Sequence, residues 1–383
     1  MLSILAAPTS AVLAVVSFLV VLSVVVFVHE FGHFLIARWC GVAVRTFSIG
    51  FGKEICGFTD RKGTRWRIAW VPLGGYVKFV DDENAASQPS AESLARMTPE
   101  ERRGAFQTKP IWQRAAVVFA GPAANFVLAI VIYTAVNFWV GVHTISPRIG
   151  EVKPGLPAAA AGFQPGDLIL SIDGEAIEGF EDVQRIIAGN ADRKLHFAID
   201  RNGERLTLEV TPQTLEQNDN FGGKFRRGLI GITPSTKLEA VETKQVGFAE
   251  AARLGVRETY MNIAQTLQGI GDILSRRQAA DQMGGPILMA QVTAKVAGLG
   301  VEPMLRWIAF ISANIGFLNL LPVPILDGGH LLFYAIEAVR RRPLSRRMQE
   351  IGFQIGIALV LMLMVYVNMN DILRVWRQWT GAG

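Results

Sequence analysis

The segment HEFGH, His29 to His33, holds two imidazoles four residues apart, with a carboxylate beside the first. On a helix, positions i and i+4 share one face, so both rings can bind one zinc ion. Glu30 is placed to accept a proton from a water activated there. A five-residue pattern with two open positions arises by chance, and its setting is what gives it weight. It stands inside a long apolar run, about Val12 to Trp39. Each ionisable group near the middle of a membrane helix costs about 2.5–3.5 kcal/mol on insertion scales. Three of them in five residues are hard to explain as packing. FLIARWC follows and is apolar again, with Arg38 the first cation. At the rise of an α-helix, His33 lies roughly 8 Å inside that arginine.

A second unusual stretch is NLLPVPILDGGH, Asn319 to His330, at the end of another apolar run. Pro322 and Pro324 remove two backbone donors and break the helix. Gly328 and Gly329 permit close backbone approach. Irregular backbone at membrane depth is tolerated only where protein buries it or where it lines a cavity. A zinc enzyme with two histidines needs a third protein ligand and one open position. Asp327 is the natural candidate; His330 is another available ligand, more easily read as a supporting residue.

The elements that must carry these groups follow from composition. The chain has 383 residues, half of them hydrophobic, with a mean hydropathy of +0.29. The apolar residues are gathered in blocks, which is the signature of a membrane protein. Four blocks stand out, at about Val12–Trp39, Ala115–Val140, Leu305–Leu321 and Ile355–Val367. The net charge of +5 does not call for nucleic acid, because RRRPLSRR (340–347) alone supplies five arginines between two apolar blocks. Loop 41–111 is also rich in Lys and Arg, whereas residues 1–37 contain neither. The bias of Lys and Arg toward the cytoplasm puts both basic loops there and residues 142–303 outside. The N-terminus lacks a basic leader and its apolar run continues into HEFGH, so a retained membrane helix is expected. Cys40 and Cys56 suggest no disulfide framework.

The outer region opens with a small α/β module. PRIGEVKPGLPAAAAGFQPGDLILSIDGEAI (147–177) alternates short strands with turns, with a tight turn at Asp173-Gly174, residues 181–189 read as a helix, and 194–210 is a hairpin around Asn202-Gly203. This pattern resembles a PDZ domain, with GLIGITP (228–234) similar to the strand of its peptide-carboxylate loop. Residues 245–280 read as amphipathic helix before a turn at Gly284, Gly285 and Pro286. The polar stretch 81–104 reads as a cytoplasmic loop.

Taken together, HEFGH and NLLPVPILDG resemble the paired signatures of the site-2 proteases, in their bacterial RseP-type branch. WVPLGGYVKF (70–79), FAGPAAN (119–125) and GGPI (284–287) extend the resemblance along nearly the whole chain. It implies a helical membrane protein with a four-helix metalloprotease core, a membrane-associated β element and an inserted PDZ-like domain. The expected order is a first membrane helix over 1–40, a cytoplasmic loop over 41–111 with a re-entrant β element at about 65–80, and a second membrane helix over 112–141. A PDZ domain over 142–235 and an amphipathic linker over 236–303 follow. A third membrane helix over 304–334, a basic loop over 335–353 and a fourth helix over 354–383 complete it. The resemblance further implies Zn2+ held by His29, His33 and Asp327, with Glu30 as catalytic base. Asn319 is implied in holding unwound substrate or stabilising the oxyanion, and Gly74, Gly75 and Tyr76 in binding substrate as an added strand. The implied substrates are single-span membrane proteins in the lipid bilayer of a bacterial inner membrane, such as pre-trimmed anti-sigma factors or signal-peptide remnants.

Rival readings are a catalytically inactive membrane PDZ scaffold, a secondary transporter and a soluble zinc protease on an anchor. All expected catalytic positions are filled, which disfavours the first. An absent internal repeat disfavours the second. The third needs an outer metal ligand, and that region offers only His143 and His196.

Overall fold

The structure, a computed structural model, describes residues 2–82, 97–177, 179–218, 224–235, 241–274, 284–342 and 344–380. Most of the polar stretch expected as a loop over 81–104 lies outside the described residues. Its far end is a short helix, Pro99–Gly104, whose first turn is closed reciprocally by Thr98 and Glu101. The chain divides into two compact units, Met1–Val136 with Ala252–Gly383, and Asn137–Ala251.

The first unit starts with helix α1, Leu2–Trp39, and a β-hairpin made of β1, Val44–Thr59, and β2, Arg65–Phe79. Helix α2, Ile111–Trp139, is the second long apolar helix. After the inserted unit come α3, Phe248–Leu274, α4, Pro286–Gly298, α5, Val301–Asn319, α6, Asp327–Arg340, and α7, Arg346–Thr380. Among the described residues, three helical stretches are long and apolar enough to cross a membrane: Val12–Trp39, Ile111–Trp139 and Arg347–Leu373. Val12, Val16, Val20 and Leu35 are each more than half exposed on α1. Apolar surface on this scale needs an apolar surrounding. The third expected apolar block forms α5, which is not among these three. It carries Glu302 and Arg306 near its start, with Arg306 paired to Glu302 and to Glu258 of α3.

The hairpin is larger than the strand expected at about 65–80. Its β1 residues Thr46–Ile49 pair on one side with Arg65–Ile68 and on the other with Gly75–Lys78. Gly75–Phe79 therefore lies at an edge. The hairpin is held to α1 by aromatic packing, with Phe47 edge-on to Phe34 and Phe27 at centroid distances of 5.5 and 5.8 Å. Arg38 of α1 adds an ion pair to Asp60, which also accepts from Trp66 Nε1 at 3.0 Å. The buried carboxylate of Asp371 on α7 accepts from the backbone N–H groups of Gly285, Ile287 and Leu288, each at 3.0 Å. The orphan donors that open α4 are satisfied in this way.

The second unit contains an antiparallel sheet in the order Glu175–Ala176, Leu168–Ile172, Leu195–Arg201, Glu204–Val210. Asp173-Gly174 and Asn202-Gly203 have positive φ at both positions, as two-residue hairpin turns of the right hand require. The helix Phe180–Gly189 turns Val183, Ile186 and Ile187 onto Ile169, Phe197 and Ile199 of the sheet. Each such buried side chain contributes about 1.5–3 kcal/mol. Ile232–Pro234 pairs with Ile149–Val152, and Val241–Lys244 with Val142–Ile145.

Asp167 ties this unit together. Its side chain is 1% exposed, receives Nε of Arg201 at 2.7 Å, and accepts the Gln164 N–H at 2.8 Å. Burial pushes its carboxyl up, and the Arg201 and Gln164 hydrogen bonds with the Arg201 charge together outweigh that and hold it below the ordinary carboxylate range. A carboxyl depressed in the folded state stabilises at pH values above its unfolded pKa of about 3.9. That stability disappears as the pH falls through the folded value. Asp167→Asn is expected to cost about 1–3 kcal/mol at pH 7 and progressively less below about pH 4. Amide hydrogen exchange over residues 147–210 of the full chain, measured against pH, checks this.

Candidate metal centre

HEFGH lies within α1 rather than at its end, so its two imidazoles leave the same side of a continuous helix. Helix α5 ends at Asn319, the chain turns through Leu320–Leu326, and Asp327 opens α6. A Cβ on Gly328 would collide with the carbonyl oxygens of Leu320 and Leu321, so only glycine lets the double-proline segment fold back so tightly. This fold-back carries Asp327 to the histidines. Nε2 of His29 lies 3.1 Å from Asp327 Oδ2, Nε2 of His33 lies 3.5 Å from it, and the two Nε2 atoms are 3.2 Å apart.

The triangle of 3.1, 3.5 and 3.2 Å tests whether a zinc ion fits. Nitrogen and oxygen ligands about 2.0–2.2 Å from a tetrahedral zinc stand about 3.3–3.6 Å from one another. The edge of 3.5 Å has that size, and the edges of 3.1 and 3.2 Å are slightly tighter, so a small outward shift of the rings seats the ion. Asp327 Oδ2 is buried and completes no hydrogen bond despite its two close neighbours. Nδ1 of His33 faces the Val117 carbonyl at 2.8 Å, so it carries the proton and leaves Nε2 as a lone pair. A lone pair and a carboxylate oxygen aimed at one point call for a cation between them. Helix α2 leaves room for it. A Cβ on Gly121 would collide with Nε2 of His33 and come within 2.8 Å of Nε2 of His29.

A cavity of about 330 Å³ adjoins the three groups and is lined by Glu30, Gly75, Tyr76, Asn319 and His330 as well. Glu30 accepts a hydrogen bond from the Val77 backbone. A Cβ on Gly75 would meet Glu30 Cγ at 3.1 Å, so the strand edge approaches the carboxylate as closely as a bare backbone allows. At the far side, Arg114 pairs with Glu337 at 2.8 Å and lies 4.9 Å from the Tyr334 ring centroid. The structure thus gathers His29, Glu30, His33, Gly75, Tyr76, Asn319 and Asp327 around one space. It does not bring Gly74 there. That residue has φ +104° and packs toward Phe51, because alternate strand positions face opposite sides. His330 lines the cavity and packs against Phe353 at 5.4 Å, and the metal-ligand cluster does not include it. Sequence reasoning missed Gly121 as a contact of both imidazoles and Asn125 as a neighbour of His29; its Nδ2 is 3.2 Å from His29 Nδ1. An amide side chain in the middle of an apolar helix was the available signal.

Residues 17–363 match the model of peptidase family M50. A protein of Mesorhizobium japonicum named as a zinc metalloprotease is 48% identical over 361 residues, covering 93% of this chain and 98% of that one. The metalloprotease MmpA of Caulobacter vibrioides is 40% identical, covering 94% and 95%. Among solved structures, the PDZ domain of an SdrC-like protein of Listeria monocytogenes is 22% identical and covers 24% of this chain and 90% of its own, with a TM-score of 0.19.

Proposed function

The chain belongs to peptidase family M50 and is a zinc metalloprotease, and on that premise we propose that it cuts peptide bonds inside the membrane spans of single-span membrane proteins. One observation carries the reading: the two histidines and Glu30 lie within the apolar stretch Val12–Trp39, with Asp327 against them. At 1.5 Å per residue, His33 is about 9 Å from the end of that stretch. A bond that reaches such a site is itself at membrane depth.

His29, His33 and Asp327 would hold the zinc. When bound, the metal supplies Lewis acidity at the scissile carbonyl and lowers the pKa of water. Glu30 takes the proton as the water oxygen bonds to the carbonyl carbon. It returns that proton to the nitrogen as the C–N bond breaks. Substrate must first leave the helical state, because a helical carbonyl is already engaged. The Gly75–Phe79 edge receives the unwound segment as an added strand, with Gly75 and Tyr76 beside the reacting bond. The amide of Asn319 donates to the carbonyl oxygen as charge develops there.

Residues 142–235 are read as a PDZ domain on the extracytoplasmic side of a bacterial inner membrane. Four membrane helices complete the core, α5 being the one spared a fully apolar surface by its place among other helices. Substrates of this class include pre-trimmed anti-sigma factors and signal-peptide remnants. Co-expression with a doubly tagged single-span protein tests the proposal. Mass spectrometry of the fragments is expected to map the cut within the span. Cuts confined to soluble flanks, equally frequent when the span is removed, would refute it.

A further inference from the structure

Asn125 lies in the middle of α2 and is fully buried. Its backbone is fixed from α5, where Ser312 Oγ donates to the Asn125 carbonyl at 2.9 Å and Gly316 packs against the Asn125 Cβ. The side-chain amide meets His29 Nδ1 at 3.2 Å. Among the described residues, two buried side-chain atoms make no hydrogen bond, Asn125 Oδ1 and Asp327 Oδ2.

One rearrangement gives both orphan oxygens a partner. With Nδ2 turned to the ring, Asn125 donates to Nδ1, and the imidazole proton must then sit on Nε2. An Nε2–H points at His33 and Asp327 and cannot ligate a metal. Turning the amide over exchanges N for O at nearly the same position, a choice that hydrogen-bond logic rather than shape decides. Oδ1 then accepts Nδ1–H, and Nε2 presents its lone pair to the same point as Nε2 of His33. A cation at that point engages Asp327 Oδ2 at the same time. His33 already has this arrangement through the Val117 carbonyl.

We propose that Asn125 is a positioning residue for the metal, its side-chain oxygen fixing the tautomer and ring direction of His29. The proposal rests on the metal reading of His29, His33 and Asp327. Partners of this kind typically govern 10–100-fold in metal affinity.

The test uses the full-length protein in detergent and zinc alone as probe, with affinity read by chelator competition. Asn125→Leu removes the acceptor and is expected to weaken zinc binding about 10–100-fold. Asn125→Asp keeps an acceptor and is expected to bind zinc at least as tightly as the wild type. Unchanged affinity in Asn125→Leu overturns the proposal, and so does equal weakening in both variants with the fold retained. A second readout needs no variant. In the 15N-histidine spectrum of zinc-loaded wild type, His29 Nδ1 is expected to carry a slowly exchanging proton, and a bare Nδ1 overturns the idea. Zinc that survives unchanged in His33→Ala refutes the underlying metal reading instead, which keeps the two failures apart.

Discussion

Glu30→Gln protein is expected to bind zinc at wild-type stoichiometry and to cleave a membrane-span substrate about 10²–10⁴-fold more slowly. The two halves of this result follow from different contacts. Glu30 is not among the three groups that converge on the metal position, so the change leaves the ligand set intact. Glutamine also keeps an oxygen that can accept the Val77 N–H, and it has the size that the close approach of Gly75 demands. What it lacks is the capacity to take a proton near neutral pH. The loss should therefore fall on the chemical step, visible in single-turnover cleavage with metal content measured on the same sample. Equal cleavage by both proteins would remove Glu30 from the mechanism. Equal absence of cleavage, with zinc bound in both, would favour the inactive-scaffold reading.

The two histidines of the candidate metal centre were legible because their spacing is tied to local geometry. Two histidines at i and i+4 share a helix face whatever the rest of the chain does. Asp327 was legible for a different reason, since two prolines and two glycines force an irregular backbone beside a carboxylate. The Asn202-Gly203 and Asp173-Gly174 turns were readable because few residues adopt positive φ. Strand β1 was not. Its SIGFGKEICGF run mixes glycine and charge without alternation, and its strand character comes from pairing with two separate parts of β2. Gly74 and Gly75 look alike in sequence, and only the strand's alternation sends one to Phe51 and the other to Glu30. Asn125 is the plainest case of a non-local property. It sits 96 residues from the histidine it meets, on another helix. Its significance depends on which polar atoms the packed state leaves without partners.

His33→Ala is expected to abolish cleavage and to lower zinc affinity by more than about 100-fold, beyond what loss of a supporting contact causes. Two effects combine. The site falls from three protein ligands to two, short of the three that a catalytic zinc site needs. The substitution also removes the ring whose Nδ1 is anchored to Val117 in α2, so one side of the pocket loses its tie to that helix. The residual pair, His29 and Asp327, leaves the buried Oδ2 of Asp327 with one of its two imidazole neighbours gone. Apolar contacts such as Phe34 against Phe47 remain, so the helix and hairpin should stay packed. Elemental analysis of purified, monodisperse protein checks the prediction against Glu30→Gln prepared in parallel. Zinc retained at one per chain in His33→Ala would place the metal elsewhere. Loss of zinc from both variants would point to a general loosening of α1 rather than to a missing ligand. Only the split outcome, metal kept by one and lost by the other, assigns holding the ion and moving the proton to adjacent turns of the same helix.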